Sequence, residues 1–156
     1  MEQTVEQTLE QQLAAAVPIY IRSHVGGGFH RLSEFSYFTA ELKYVTATTL
    51  GGSEYVLDGS LKSLEERYGS LLVRVHRKCL VPAYLLSALE SYENPETAPR
   101  DFTWGSTVYY AVVDTSRVPQ WDGESRMLTR VPVSRRHVSV VRQHLRRQDV
   151  MSRISK

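Results

Sequence analysis

The sequence lacks the features that mark secreted and membrane-spanning proteins. Its 156 residues include one cysteine, Cys79, so no disulfide can form within the chain and a reducing compartment is the natural one. No apolar run approaches the roughly 18–20 residues that a membrane-spanning helix needs, and the N-terminus lacks a signal-peptide pattern. We therefore expect a soluble protein of the cytoplasm.

Side-chain patterns typical of enzymes are also missing. No paired acids and no set of nucleophile, base and orienting group stand out. The run Gly26-Gly27-Gly28 lacks the Lys-Ser or Lys-Thr that follows a phosphate-binding loop, and favours a flexible turn. His76 and Cys79 lie three positions apart, but neither a second cysteine nor an acid cluster completes a zinc site. The sequence predicts no catalysis, no cofactor and no metal.

The charges are few in sum but uneven in distribution. The net charge is +2, yet residues 1–18 carry three glutamates and no Lys or Arg, whereas residues 130–156 carry eight Lys or Arg against Asp149. A second cationic cluster interrupts the apolar segment 71–81 at Arg74, His76, Arg77 and Lys78. Either cluster alone is typical of a solvated face. The two together indicate a cationic surface for a polyanion.

Hydrophobic residues make up 42% of the chain, enough for one compact core. Residues 1–18 resemble a helical linker, and residues 148–156 a basic tail without order of its own. Between them the pattern predicts about eight to ten strands and two short helices, one starting at Ser60 and one running from Ser134 to about Arg147. Residues 71–81 are predicted as one strand whose alternation fails at Arg77-Lys78, and the second half of 85–92 as another. Two long loops, 93–106 and 114–126, flank the strand Thr107–Val113.

Four phrases in register resemble one family. These are Lys43-Tyr44-Val45-Thr46 and the stretches 58–67, 73–81 and 131–137, which read DGSLKSLEER, VRVHRKCLV and VPVSRRH. They resemble the LytTR DNA-binding domain, closest to the AlgR-like branch of the LytR/AlgR response regulators, over roughly residues 19–147. The resemblance implies a mainly β, elongated fold of small antiparallel sheets that lays loops into successive major grooves of duplex DNA.

The resemblance also implies roles for individual residues. Base edges would be read by Lys43, Arg77 and Arg135, cations whose N–H groups suit guanine O6 and N7. Phosphate contacts or loop support would fall to the remaining motif residues, Arg74, His76, Lys78, Ser134 and Arg136. From the residues alone, Arg74 could instead pair with Glu65 or Glu66, and Lys43 could be an ordinary exposed lysine.

The chain departs from the family pattern at three points. Pro82 stands where the family usually has Asn, the loops 93–106 and 114–126 are long, and no receiver domain precedes the DNA-binding part. We expect a fragment of a two-domain regulator, with a stand-alone regulator as the alternative. Family practice implies direct-repeat sites and an isolated domain that is monomeric off DNA.

Two other kinds of function remain open from the sequence. The same fold could serve as a protein-interaction module that engages a partner through its long loops. A single-strand nucleic-acid binder would stack bases on its aromatic side chains, with Trp104 and Trp121 as candidates.

Overall fold

We analysed a computed structural model of the chain, which describes residues 18–21, 28–41, 43–94, 96, 108–117 and 128–154. These residues form ten strands and two α-helices. The strands are β1 (Pro18–Ile21), β2 (Gly28–Arg31), β3 (Phe35–Glu41), β4 (Tyr44–Thr49), β5 (Glu54–Leu57), β6 (Leu72–His76), β7 (Cys79–Pro82), β8 (Leu86–Ser91), β9 (Tyr109–Asp114) and β10 (Leu128–Pro132). The helices are α1 (Leu61–Tyr68) and α2 (Val138–Ile154).

The strands form small antiparallel sheets. In the five-stranded sheet the order is β5-β4-β3-β7-β6, in the three-stranded sheet it is β10-β9-β8, and β1 pairs with β2. The sequence-based expectation of a mainly antiparallel β fold with two helices is confirmed. Within the described part of the chain, no helix is both long and apolar enough to span a bilayer.

One continuous hydrophobic core joins the two larger sheets and the helices. Phe35 and Phe38 are fully buried in β3, with ring centroids 5.5 Å apart. Every residue of β7 is buried, because β7 lies inside its sheet between β3 and β6. The helix α2 contacts both β6 and β8, which belong to different sheets. It therefore fixes the five-stranded sheet relative to the three-stranded one.

The segment 71–81 is not one strand, and this prediction was wrong. It forms a hairpin in which β6 and β7 pair antiparallel, with Val73 opposite Val81 and His76 opposite Cys79. The failure of alternation at Arg77-Lys78 marks the turn between two strands. Both strands are apolar because both pack in the core, so a short hairpin reads like one broken strand.

Local capping explains where α1 begins and ends. The Ser60 hydroxyl accepts a hydrogen bond from the Ser63 amide at 3.1 Å, and the Ser60 amide donates to the Ser63 hydroxyl at 2.9 Å. Gly69 follows the helix with φ at +54°, a conformation that costs a glycine little. The predicted helix start at Ser60 is confirmed.

The C-terminal helix differs from its prediction at both ends. A 3-10 turn, Arg135–His137, separates Ser134 from α2. The helix then continues beyond Arg147 to Ile154, where the sequence predicted a disordered tail from residue 148. The Gln148 side-chain amide donates to the Ala83 carbonyl at 3.1 Å, a contact that holds the helix past Arg147. Residues 1–17 of the expected linker 1–18 and most of the two long loops lie outside the described residues, and Pro18 begins β1.

The Ser60 cap gives a test of this local structure. We expect Ser60→Ala to lower the free energy of unfolding by about 1 kcal/mol, because the Ser63 amide loses its partner. Chemical denaturation measures the change. Ser91→Ala is the matched control, since Ser91 is exposed at the end of β8. Equal stability of the two variants would contradict the capping assignment.

Candidate nucleic-acid interface

Two turns that carry cations lie side by side at one end of the five-stranded sheet. Lys43 lies between β3 and β4, and Arg77 and Lys78 connect β6 to β7. The Ala40 amide, near the end of β3, donates to the Lys78 carbonyl at 3.0 Å. Since β3 and β7 pair antiparallel, this bond places the β3–β4 and β6–β7 turns at the same sheet end.

A third cation-bearing segment joins them from the C-terminal part of the chain. The Ser134 amide donates to the Val75 carbonyl at 3.1 Å, which ties the residues after β10 to the end of β6. The Ser134 hydroxyl and His137 Nδ1 share a hydrogen bond across the following 3-10 turn. Arg135 and Arg136 are therefore held next to the Arg77 turn, although they lie almost 60 positions later in the chain.

The three predicted base-reading side chains are available to a ligand. Lys43, Arg77 and Arg135 are all exposed, as is Arg136. Among the residues that the structure describes, none of these four makes an ion pair with a carboxylate. We refer to the three segments, residues 43–44, 77–78 and 134–136, as the cationic end.

Arg74 holds the β6–β7 turn from within the hairpin. Its guanidinium donates to the Glu65 carboxylate at 2.8 Å, to the His76 carbonyl at 2.9 Å and to the Arg77 carbonyl at 2.6 Å. Glu65, on α1, thereby orients the guanidinium group of Arg74, and this group in turn holds the backbone of the turn. The side chain of Arg74 is 22% exposed, and its contacts are those of turn support, with the pairing to Glu65 that the sequence left open.

His76 supports the same turn as a neutral acceptor. Its Nδ1 accepts a hydrogen bond from the Lys78 amide at 3.1 Å, and the residue is only 8% exposed. Burial, followed by the nearby positive groups of His137, Arg77, Lys78 and Arg74, lowers the pKa of His76 to about 4. A ring that is neutral at pH 7 and buried in this way orders the turn and does not act as a phosphate-binding cation.

Cys79 is a core residue beside this turn. Its side chain is fully buried, and burial raises the pKa of the thiol far above its usual range. His76 and Cys79 lie opposite each other in the β6–β7 hairpin. Within the described ranges, no three His, Cys, Asp or Glu side chains gather as a metal site would require.

The comparisons with known proteins agree with this geometry. Residues 29–97 match the family model of the LytTr DNA-binding domain. This part of the chain therefore resembles a LytTR domain. The matched range includes Lys43 and Arg77 and ends before Arg135, so the third segment of the cationic end lies outside it.

A curated relative and a solved structure extend the match. Over 75 residues the chain is 36% identical to the Positive alginate biosynthesis regulatory protein of Pseudomonas aeruginosa, which fits the AlgR-like branch. The aligned part is 44% of this chain and 30% of that protein, so the chain spans less than a third of its relative. The fold also resembles the LytTr DNA-binding domain of a putative methyl-accepting/DNA response regulator from Bacillus cereus, with a TM-score of 0.55 at 18% identity. That likeness covers 83% of this chain and 96% of the other.

Sequence reasoning missed the residues that place the cations. The link from Ala40 to Lys78 and the link from Ser134 to Val75 are backbone bonds, which side-chain patterns do not encode. From the sequence, Glu65 is only one possible partner of Arg74. Its link through Arg74 to the turn cannot be predicted while residues 71–81 are taken as one strand and not as a hairpin.

Replacing Arg74 tests its hold on the turn. We expect Arg74→Met to lower the free energy of unfolding by about 2 kcal/mol, because Glu65 and two backbone carbonyls lose a charged donor. Amide hydrogen exchange at residues 76–78 should also become faster. Glu66→Gln is the control, because Glu66 is an exposed neighbour of Glu65 on α1. Unchanged exchange in Arg74→Met would contradict turn support.

The pKa of His76 predicts a dependence of stability on pH. Because the folded-state pKa of about 4 lies below the unfolded value, the unfolded chain binds more protons between about pH 4 and 6.5. Stability should therefore fall as the pH falls through this window. Between pH 7 and pH 5 we expect the wild type to lose about 2 kcal/mol more than His76→Asn, whose side-chain oxygen can replace Nδ1 as acceptor. Parallel unfolding profiles for the two proteins would contradict a neutral buried His76.

Proposed function

We propose that this LytTR domain binds double-stranded DNA sequence-specifically, as the output domain of a bacterial two-component transcription regulator. The observation that carries the proposal is the cationic end, where three segments distant in sequence present exposed cations that pair with no carboxylate of the described residues. The family match supports DNA as the ligand. The domain acts by binding, without a chemical step of its own, and such a regulator works in the cytoplasm.

Base reading falls to three exposed cations of this end, Lys43, Arg77 and Arg135. Arg77 and Arg135 each offer a planar fork that can donate two hydrogen bonds to guanine O6 and N7, and Lys43 can donate to the same edge. All three extend from turns, which can enter a major groove without a recognition helix. One good bidentate contact discriminates against a wrong base by about 1–3 kcal/mol.

Phosphate contacts fall to the neighbouring groups. Arg136 is exposed beside Arg135, and Lys78 is partly exposed beside Arg77, so both can reach the DNA backbone on either side of a base that is read.

The other motif residues support the interface from within the protein. Ser134 is hydrogen-bonded to Val75 and His137 and positions its segment. Arg74 and His76 support the turn from inside, and their effect on DNA binding is indirect.

The partner domain and the sites follow from the same proposal. A receiver domain, N-terminal to the present residues in the whole protein, would bring two such domains together on directly repeated half-sites. The isolated domain is then monomeric in the absence of DNA, and it binds DNA weakly. Affinity should fall steeply with salt, as phosphate contacts require. A protein-interaction module on this fold would show no such dependence on duplex DNA.

Binding selection from a random duplex pool tests the base-reading roles. We expect Arg77→Ala and Arg135→Ala each to relax the selected motif at one position, with a loss of about 1–3 kcal/mol for the preferred base there. Arg67→Ala serves as the matched control, because Arg67 is an exposed arginine of α1 outside the cationic end.

The outcomes separate the proposed roles. A motif that stays unchanged in Arg77→Ala and in Arg135→Ala would reject base reading by these residues. Selection of no motif by the wild type, with duplex retention insensitive to salt, would reject sequence-specific DNA binding and favour the interaction module.

A further inference from the structure

A groove of about 540 Å³ opens next to the cationic end, between α2 on one side and β6 and α1 on the other. Arg77 and Arg136 lie at its margin and are shared with the cationic end, while Arg147 lines it farther along α2. Its apolar lining comes from Leu72, Val73 and Val140. We call this feature the arginine groove.

The groove side of α2 is one regular stripe of the helix. Val140, Gln143 and Arg147 line the groove and are spaced by three and four residues, so they lie on one face of α2, and Arg136 lines the groove from the 3-10 turn before the helix. The distance along the axis of α2 from Val140 to Arg147 is about 10 Å at the usual rise per residue. In a duplex, consecutive phosphates of one strand are spaced by about 3.4 Å along the axis, so the stripe can face several of them.

Among the described residues, the acids at the groove do not balance its positive charge. Glu65 is the acid that lines it, and its carboxylate is bound to Arg74. Arg77, Arg136 and Arg147 have no carboxylate partner among the described residues. The two histidines that line the groove, His137 and His144, bring no negative charge, and the His144 ring is hydrogen-bonded to the Ala83 carbonyl. Three guanidinium groups along the groove suit a chain of phosphates joined by sugars, whose C–H faces can lie on the exposed side chain of Val140.

We infer that the arginine groove holds the sugar–phosphate backbone of one DNA strand next to the bases that the cationic end reads. This inference rests on the proposed function and adds a second part to the interface. Arg147 then contributes affinity that is the same for every sequence, because backbone contacts carry no base information.

Adjacent arginines of α2 give a closely matched experiment. Arg147 lines the groove, whereas Arg146 is exposed on another face of the same helix and does not. For the full chain with a duplex carrying the selected motif, we expect Arg147→Gln to weaken binding about tenfold at 0.1 M salt and to lower the salt slope by about one. We expect Arg146→Gln to change both quantities less, and the selected motif to be the same in both variants.

A charge placed in the groove is a second, independent variant. Val140 is 42% exposed and lines the groove, and its neighbour Ser139 is exposed but does not line it. Val140→Glu should therefore weaken binding more than Ser139→Glu, while thermal unfolding shows both variants to be folded.

The result that would overturn the inference is an equal effect within each pair, at Arg147 and Arg146 and at Val140 and Ser139. A groove that binds only a free phosphate compound would give that result, because DNA affinity would then not depend on Arg147. This outcome is distinct from failure of the proposed function, in which the wild type would select no motif and its duplex retention would not depend on salt.

Discussion

The candidate interface depends on the hydrogen bonds that the Arg74 guanidinium makes. This group lies between the helix α1 and the β6–β7 turn, and its bonds to Glu65 and to two turn carbonyls connect the helix to the turn. A cation in this place serves structure, and it leaves Arg77 free to point outward. His76 completes the arrangement from the other side of the turn by accepting the Lys78 amide as a neutral ring. Arg74 and Arg77, two arginines of the same short segment, thus have different roles: Arg74 supports the turn, and Arg77 is exposed to a ligand.

The small sheets matter because they bring distant turns to one place. The antiparallel pairing of β3 with β7 aligns the turn of Lys43 with the turn of Arg77, and the bond from the Ser134 amide to the Val75 carbonyl holds the residues after β10 against β6. These contacts are made by backbone groups, so the positions of the cations are set by the fold and their chemistry by the side chains. The arginine groove continues the same surface along α2, with Arg136 belonging to both parts.

Much of this could be predicted from the sequence, and the failures have physical causes. Strand content, the cap at Ser60 and the resemblance to the LytTR domain followed from short-range patterns. The hairpin at 71–81 was predicted as one strand, because its two-residue turn, Arg77-Lys78, lacks the Gly, Asn or Asp that marks most two-residue hairpin turns. The length of α2 was underestimated, because the bond from Gln148 to the Ala83 carbonyl joins residues 65 positions apart. The arginine groove lies between three elements and has no signature within any one of them.

The most direct test of the central claim is a titration of the ¹⁵N-labelled chain with duplex DNA, followed by amide chemical shifts. The convergence of three turns predicts that the amides of residues 43–44, 77–78 and 134–136 shift together, with the same dependence on DNA concentration, while the β1–β2 pair stays unchanged. Shifts confined to one of the three segments, or centred on β1 and β2, would contradict a shared interface at this end of the sheet.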